Sequence, residues 1–380
     1  MAKGIEFKKK NPSLLEKFGT YYLSIFRKQH LTHYVFDFSD DELARKTNAI
    51  TSWGIVLSAL VGLVCVWPTV YVSVLKKAAP FVEYWIWVGG VTLVSVIIEL
   101  YLLFVIALKT VHRVSELINM HASPREFLRG GPFGIISILS RTALEIPDPE
   151  LIILGIDPFE KVSKKNLLIL SLLYKLKIIL TNLVAKFLLK ILFGSAIAGV
   201  SINYVALPVE CFWNAMVLYR VVKEARLRMF GFALCNHIAE QVIHDRLLGQ
   251  LSTEAKIGCL RAIGNAVVLG KQYHPNMILL MLRFEHLVHI YKEHKYDDWA
   301  LFLQSLQQVN EKERNFLLDL FTVAIGFDGR IHSQEADKLK EVYGPLYDLY
   351  YPRLVQLTTH LRAGRLHAAA DLCKLDFTAG

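Results

Sequence analysis

The stretch ITSWGIVLSALVGLVCVWPTVYVSVL, residues 50–75, decides the fold class, because its 26 residues include no charged side chain. A helix needs about 20 apolar residues to cross the ~30 Å hydrocarbon core of a bilayer. Residues 81–108 form a second such stretch, whose 28 residues carry only Glu83 and Glu99 as charges. The linker between the two stretches is short, so the sequence predicts a transmembrane hairpin. Three tryptophans lie toward its turn, as is typical of the membrane interface: Trp67, Trp85 and Trp87.

A second hairpin is predicted over residues 166–222. Its first half, NLLILSLLYKLKIILTNLVAKFLLKILFG (166–194), is apolar but carries four lysines, and its second half carries Glu210. Lys and Arg gather on cytoplasmic loops, and the flanks at 45–46, 109–165 and 220–228 are all basic. All three flanks can be cytoplasmic only if the chain crosses the membrane an even number of times between them. The basic pair Lys76-Lys77 opposes this topology. The alternative for residues 166–222 is a re-entrant hairpin. We therefore predict an all-α protein with four transmembrane helices and both termini cytoplasmic, in a bacterial inner membrane.

The lysine-bearing segment has one polar stripe. At 100° per residue a single face carries Ser171, Lys175, Asn182, Lys186 and Lys190. A charge at the bilayer centre costs at least about 2.5 kcal/mol on insertion scales, so such residues usually face a partner or water. Three interpretations stay open: a polar lock between helices, a hydrated path for an ion or solute, and a basic helix in the membrane plane. The predicted intramembrane polar residues are Glu99, Lys175, Asn182, Lys186 and Glu210.

The rest of the chain divides by composition. Leu14 to Phe26 predicts an amphipathic helix that either lies on the membrane or packs on the soluble domain. Helix starts are indicated at Ser39, Ser252, Asn310 and Ser333, each followed by acidic residues or a helical pattern. The predicted regions are a basic N-terminal region (1–49), a transmembrane hairpin (50–108), a cytoplasmic loop with short helices (109–165), a second hairpin (166–222) and a cytoplasmic helical domain (223–380).

Composition narrows the class of partner. The chain of 380 residues is 53% apolar with a net charge of +9, and from residue 223 onward 19 Lys and Arg balance 18 Asp and Glu. The positive excess therefore lies beside the apolar segments, which favours a lipid bilayer and not nucleic acid as its partner. The five cysteines have no metal-binding spacing, which indicates reduced thiols, and the N-terminus has no signal-peptide pattern. A protein partner or a homo-oligomer is also predicted.

Common catalytic signatures are absent from the sequence: it has no Walker A loop, GxGxxG, GxSxG or HExxH. Two histidine sets have helical spacing instead. One is Glu285, His286, His289 and Glu293, and the other is His237, Glu240 and His244. Imidazole and carboxylate at such spacing bind transition metals, but the same spacing is common on solvated helix faces. The sequence predicts no cofactor, with a divalent metal as the alternative.

One segment carries a family resemblance. The stretch LLDLFTVAIGFDGRIHSQEADKL (317–339) resembles the helix, Asp-Gly turn and acidic helix of TerB-like (tellurite resistance) domains, over a region near 310–345. Ala324 and Gly326 would occupy the first and third ligand positions of an EF-hand loop and cannot supply carboxylates, which argues against calcium binding of this type. The resemblance implies an all-helical module linked to membrane stress responses, with Asp328 and Glu335 as metal-binding positions. Other segments are similar to uncharacterised bacterial polytopic membrane proteins.

These observations give three functional hypotheses of different classes. The preferred one is a membrane-anchored interaction or stress-sensing module. The second is a small channel or transporter that uses Glu99, Lys175, Lys186 and Glu210. The third is a membrane-bound metal-dependent enzyme, which requires His237, His244, His286 and His289 to converge.

Overall fold

The computed structural model describes residues 14–26, 35–117, 135–144, 156, 206–243, 249–270, 274–288, 295–331 and 336–375. These ranges are built from helices without a β-strand, which confirms the all-α class. The helices are α1 (Leu14–Phe26), α2 (Asp40–Leu75), α3 (Phe81–Leu117), α4 (Ile135–Ala143), α5 (Ala206–His237), α6 (Thr253–Leu269), α7 (Pro275–Val288), α8 (Trp299–Gln308), α9 (Glu311–Gly326), α10 (Ala336–Tyr343), α11 (Tyr347–Ala363) and α12 (Leu366–Asp371).

Side-chain caps begin several helices where the sequence predicts them. The Ser39 hydroxyl accepts the Glu42 N–H at 3.3 Å, and the Ser252 hydroxyl accepts the Ala255 N–H at 3.1 Å. Asn310 and Glu313 form a full capping box, in which each side chain accepts the other's backbone N–H. The starts at Ser39, Ser252 and Asn310 are confirmed, and Ser333 lies outside the described residues.

Helices α2 and α3 are long and apolar enough to cross a membrane. Within the most apolar window of each helix only 22% is buried, whereas the core helix of a soluble protein would be mostly buried. On α2 the exposed apolar side chains run from Trp53 to Leu75, a length of about 33 Å at 1.5 Å per residue. That length matches a hydrocarbon core of ~30 Å and suggests membrane association. The predicted crossing at 166–194 lies outside the described residues, so the total of four crossings stays a prediction.

Small residues on α2 let it pack closely against α3 and α5. Its buried face carries Thr47, Thr51, Gly54, Ser58, Gly62, Cys65 and Ser73. A Cβ added to Gly54 would lie 2.8 Å from the Thr110 hydroxyl on α3 and 2.9 Å from Leu218 on α5. Small side chains at such interfaces are typical of helices that associate in membranes. Gly54 lies against Leu218 and Gly62 against Asn214 of α5, so α5 runs antiparallel to α2 and beside it.

Helix α5 continues from this bundle into the C-terminal domain without a break. Glu210 and Asn214 lie near its start, and its second half, from Val221 to Cys235, is largely buried in the main core. There it contacts α7, α11 and α12. The predicted boundary between residues 222 and 223 thus lies inside a single helix, because one helix contributes to both regions.

The C-terminal helices surround an aromatic core. Phe302, Phe316, Phe321 and Phe327 are fully buried, and the Tyr343 and Tyr350 rings stack at 5.0 Å. The five cysteines form no disulfide. Burial raises the pKa of the Cys235 thiol to about 12, which favours the neutral thiol at neutral pH.

The N-terminal helix α1 packs on α3 and α4. The buried Arg141 of α4 forms an ion pair with Glu16 at 3.1 Å, and the hydroxyls of Tyr22 and Tyr101 lie 3.0 Å apart. On its other face Tyr21 and Ile25 are exposed. One face of α1 is therefore packed on the bundle while the opposite face is exposed.

Candidate functional site

The most unusual polar contact joins α3 to α5 between the apolar segments. The Asn214 amide donates a hydrogen bond to Glu99 Oε1 at 2.7 Å, and both side chains are at most 5% exposed. A buried carboxyl group must be hydrogen-bonded to offset the loss of its hydration. The pair therefore fixes the position of α5 relative to α3.

This pair lies near the middle of the apolar stretch. A Cβ on Gly62 of α2 would lie 2.7 Å from the Asn214 Nδ2 atom, so Gly62 marks the level of the pair. Gly62 follows Trp53 by nine residues and precedes Leu75 by thirteen, which places it about 14 Å and 20 Å from the two ends. Glu99 thus lies near the middle of the apolar stretch, the level at which a charge would be most unfavourable in a helix that spans a bilayer.

Glu210 lies one helical turn before Asn214 on the same face of α5 and is also buried. The backbone of Glu210 lies 3.0 Å from a Cβ built on Gly62, so α2 and α5 are in close contact here. The structure thus brings two of the predicted polar residues, Glu99 and Glu210, to one α2–α3–α5 interface. The other three, Lys175, Asn182 and Lys186, lie outside the described residues.

Sequence reasoning missed Asn214 as the direct partner of Glu99. The predicted set of intramembrane polar residues contained the two acids and members of the lysine stripe but not Asn214. The sequence spacing could have identified Asn214, because it follows Glu210 by four residues and thus lies on the same helix face. A neutral amide avoids the insertion penalty of a second charge, which makes it a better partner at this depth.

Toward the C-terminal domain, Arg226 links α5 to two other helices. Its guanidinium donates to Asn48 Oδ1 of α2 at 3.0 Å and to the carbonyl oxygen of Ala363, at the end of α11, at 2.9 Å. Gly364 follows with φ of +76°, and a Cβ there would lie 2.6 Å from the guanidinium. Glycine is therefore required both by its conformation and by the approach of Arg226.

The start of α12 is tied to the start of α2. The Asp40 carboxylate accepts the backbone N–H groups of His367 at 2.9 Å and Ala368 at 3.1 Å. Next to it the Phe36 ring lies between two imidazoles, 4.5 Å from the His237 ring and 5.4 Å from the His367 ring. Asp40 of α2 thus caps the N-terminus of α12, a helix distant in sequence. The C-terminal domain is therefore attached to α2 as well as to α5.

A third link joins α5 to the Asp-Gly turn at residues 328–329. Asn276 is 2% exposed, and its amide donates to the carbonyl oxygens of Leu227 on α5 and Phe327 at the end of α9, both at 3.1 Å. Gly231 makes room for this amide, because a Cβ there would lie 1.9 Å from its nitrogen. The Asn276 side chain therefore clamps the turn onto α5.

The turn itself is explained by its own hydrogen bonds. Asp328 is buried and its Oδ1 accepts the Arg330 N–H at 2.8 Å, while Gly329 has φ of +68° and packs on Leu227. This is the geometry of an Asx turn closed by a glycine. The Asp-Gly pair therefore has a structural role that requires no metal. Glu335, the other position implied by the resemblance, lies outside the described residues.

The predicted histidine sets are only partly described. Glu285 is half-buried and burial raises its pKa, whereas the adjacent His286 is exposed. His237 is stacked on Phe36 and burial lowers its pKa, while Glu240 is exposed. His244, His289 and Glu293 lie outside the described residues. Within the described ranges no group of three His, Cys, Asp or Glu side chains is placed to hold a metal ion.

Glu224 on α5 is the centre of an ion cluster beside the Asp328 turn. Its carboxylate lies 3.0 Å from Arg228, 3.7 Å from the buried His274 and 3.9 Å from Arg330. Burial raises the pKa of Glu224, but its interactions with His274 and Arg228 outweigh burial and lower the pKa well below its usual range. The carboxylate is therefore charged at neutral pH.

This cluster predicts that part of the protein's stability is lost at acidic pH. Since the folded protein lowers the pKa of Glu224, the carboxylate stabilises the fold above the unfolded pKa and this stability is lost as pH falls. We expect Glu224→Gln to lower the melting temperature near pH 7, with the difference from wild type shrinking below about pH 4. Thermal unfolding across this pH range measures it, with the exposed Glu311→Gln as control. A difference independent of pH would contradict the prediction.

Comparisons with known proteins give no match for this chain: no family model, no curated protein and no solved structure matches it.

Proposed function

We propose that the protein is an integral membrane protein in which a hairpin and its neighbouring helices anchor a C-terminal interaction or sensing domain. One observation carries the proposal, the continuity of α5. This helix carries Asn214 at the mid-depth polar contact and Leu227 at the clamp on the Asp328 turn. The two positions are thirteen residues, or about 20 Å, apart on one rigid element.

Arg226, Asn276 and Asp40 attach the C-terminal domain to the bundle. These three attachments favour mechanical coupling between the bundle and the domain over simple anchoring of the domain. A flexible linker would tether a domain without transmitting motion, whereas α5 enters the domain core and is held there by Arg226 and Asn276. Asp40 adds an attachment through α2. On this proposal, a displacement of α5 in the bundle changes contacts at the TerB-like turn. The resemblance of that turn to stress-response modules makes sensing the role that we favour.

The charged residues favour an orientation. Lys109 and Arg113 of α3 and Arg220 and Lys223 of α5 are exposed at the end of the bundle that adjoins the C-terminal domain. At the opposite end, Lys76 is paired with Glu83 at 2.8 Å. We infer that the C-terminal domain and both chain ends are cytoplasmic, in a bacterial inner membrane, as the positive-inside rule favours.

The test of this proposal is a combined fractionation and labelling experiment. In bacterial cells the full chain is expected to stay with membranes after alkaline carbonate extraction. In a background without native cysteines, Lys77→Cys is expected to react with an impermeant maleimide in intact spheroplasts, whereas Lys223→Cys reacts only after permeabilisation. Release by carbonate would refute membrane integration, and the reverse labelling pattern would refute the orientation.

The second candidate function, a small channel or transporter, is favoured by one specific observation. Glu99 is a carboxyl group at mid-depth, and such residues often mark ion or proton paths. Its contact with Asn214 is equally suited to a structural lock, and the two roles respond differently to Glu99→Gln. No contact among the described residues favours the metal-dependent enzyme.

A further inference from the structure

Four exposed basic side chains form a group that we call the basic ring: Lys109 and Arg113 on α3, and Arg220 and Lys223 on α5. Within the described ranges none of the four has an acidic partner. The nearest acids along these helices have other partners, since Glu116 lies 3.2 Å from His112 and Glu224 lies 3.0 Å from Arg228. The ring therefore presents uncompensated positive charge.

The packing of α2 places these four residues at one depth. Gly54 lies against Thr110 of α3 and Leu218 of α5, so these three positions mark one level of the bundle. Every member of the ring lies within five residues of that level, or about 8 Å along the helix axes. The interfacial layer on each side of a bilayer is about 5–8 Å thick, which matches this spread.

Aromatic side chains mark the same level as a membrane interface. Trp53, which precedes Gly54, is 67% exposed, and Tyr219, which follows Leu218, is 49% exposed. The Lys223 ammonium lies 6.0 Å from the centre of the Tyr219 ring. Tryptophan and tyrosine are enriched at headgroup depth, where their rings are apolar on one side and hydrated on the other.

We propose that the basic ring binds the headgroups of anionic phospholipids, so that the bundle selects negatively charged lipid at its cytoplasmic end. Depth distinguishes lipid from an acidic protein partner, because the ring lies in the headgroup layer itself. Among the described residues the opposite end has less free positive charge, since Lys76 is paired with Glu83 and Lys77 is its other basic side chain. The inference rests on the membrane integration proposed above and adds the class of lipid.

The experiment measures lipid selectivity of the full-length protein in bilayers of mixed phosphatidylglycerol and phosphatidylcholine. Electron spin resonance of each lipid carrying a nitroxide label gives their relative association constants at the protein surface. Each basic residue near the surface contributes about 1 kcal/mol of attraction, or roughly fivefold in association. The double variant Arg220→Gln/Lys223→Gln is therefore expected to lose at least about fivefold of the preference for phosphatidylglycerol. Lys76→Gln/Lys77→Gln removes the same charge and should keep the preference.

The outcomes separate this inference from the proposed function. Equal association of the two lipids with the wild-type protein, or an unchanged preference in the ring variant, would overturn the inference while leaving membrane integration intact. A protein that fails to enter the bilayers would instead contradict the proposed function. The preference should also weaken as salt rises, because salt screens exposed charges.

Discussion

Asn276→Asp is expected to destabilise the protein by about 3 kcal/mol, because the substitution removes both donors of a buried clamp. The new carboxylate would face the carbonyl oxygens of Leu227 and Phe327, which accept hydrogen bonds at 3.1 Å in the native protein. Oxygen facing oxygen in a buried site is unfavourable whether or not the carboxyl group is charged. For a domain of this size the loss corresponds to a fall in melting temperature of roughly 6–12 °C.

The matched control is Asn310→Asp, which makes the same chemical change at an exposed helix cap. Asn310 accepts the Glu313 N–H, and aspartate caps helices about as well as asparagine, so its effect should stay within about 0.5 kcal/mol. Thermal unfolding of the three proteins in the same detergent measures both effects. Similar melting temperatures for Asn276→Asp and wild type would show that the clamp does not hold the turn on α5.

The sequence predicted those features that depend on neighbouring residues. The charge-free stretch 50–75 predicted a long apolar helix, and Ser39, Ser252 and Asn310 predicted helix starts, because a cap needs only residues within one turn. The Asp-Gly turn at 328–329 belongs to the segment that resembles TerB-like domains, and its hydrogen bond likewise joins groups two residues apart. In each case the interacting groups lie close in sequence, so their spacing alone is informative.

The parts that could not be predicted involve partners far apart in the chain. Asn276 contacts Leu227 and Phe327 across 49 and 51 residues, and Asp40 caps α12 across more than 300. A single Asn or Asp has no periodic pattern that identifies such a partner. The continuity of α5 was missed because its composition changes from apolar to basic near residue 220, although the backbone stays helical.

Asn214→Leu is the most informative change inside the bundle. It removes the donor of the 2.7 Å hydrogen bond and leaves the Glu99 carboxyl facing an apolar side chain at mid-depth. We expect a loss of roughly 2 kcal/mol, the sum of an interhelical hydrogen bond and the partial penalty of an acid without its donor. The double variant Glu99→Leu/Asn214→Leu should recover most of this stability, because it removes both polar groups together.

The same variants distinguish a structural lock from an ion path. Glu99→Gln keeps an oxygen that can accept the Asn214 bond, so the lock predicts stability close to wild type. If Glu99 instead carries ions or protons, Glu99→Gln abolishes flux into liposomes while the fold is unchanged. Unfolding in bilayer discs and a proton or cation flux assay therefore separate the two roles, and loss of flux with full stability would favour the transporter.

The Asn214→Leu variant also tests whether α5 couples the bundle to the C-terminal domain, through amide hydrogen exchange at the Asp328 turn. If α5 transmits displacement from the bundle to the domain, weakening its attachment to α3 should speed amide hydrogen exchange at the turn near Asp328, about 20 Å away along the helix. A substitution at an exposed position of the same helix, Phe212→Leu, changes no interhelical hydrogen bond and serves as the control. Faster exchange at the turn in Asn214→Leu alone would support sensing through α5. If amide exchange at the turn stays at the wild-type rate in Asn214→Leu, α5 does not transmit displacement from the bundle to the C-terminal domain. Its role would then be attachment alone.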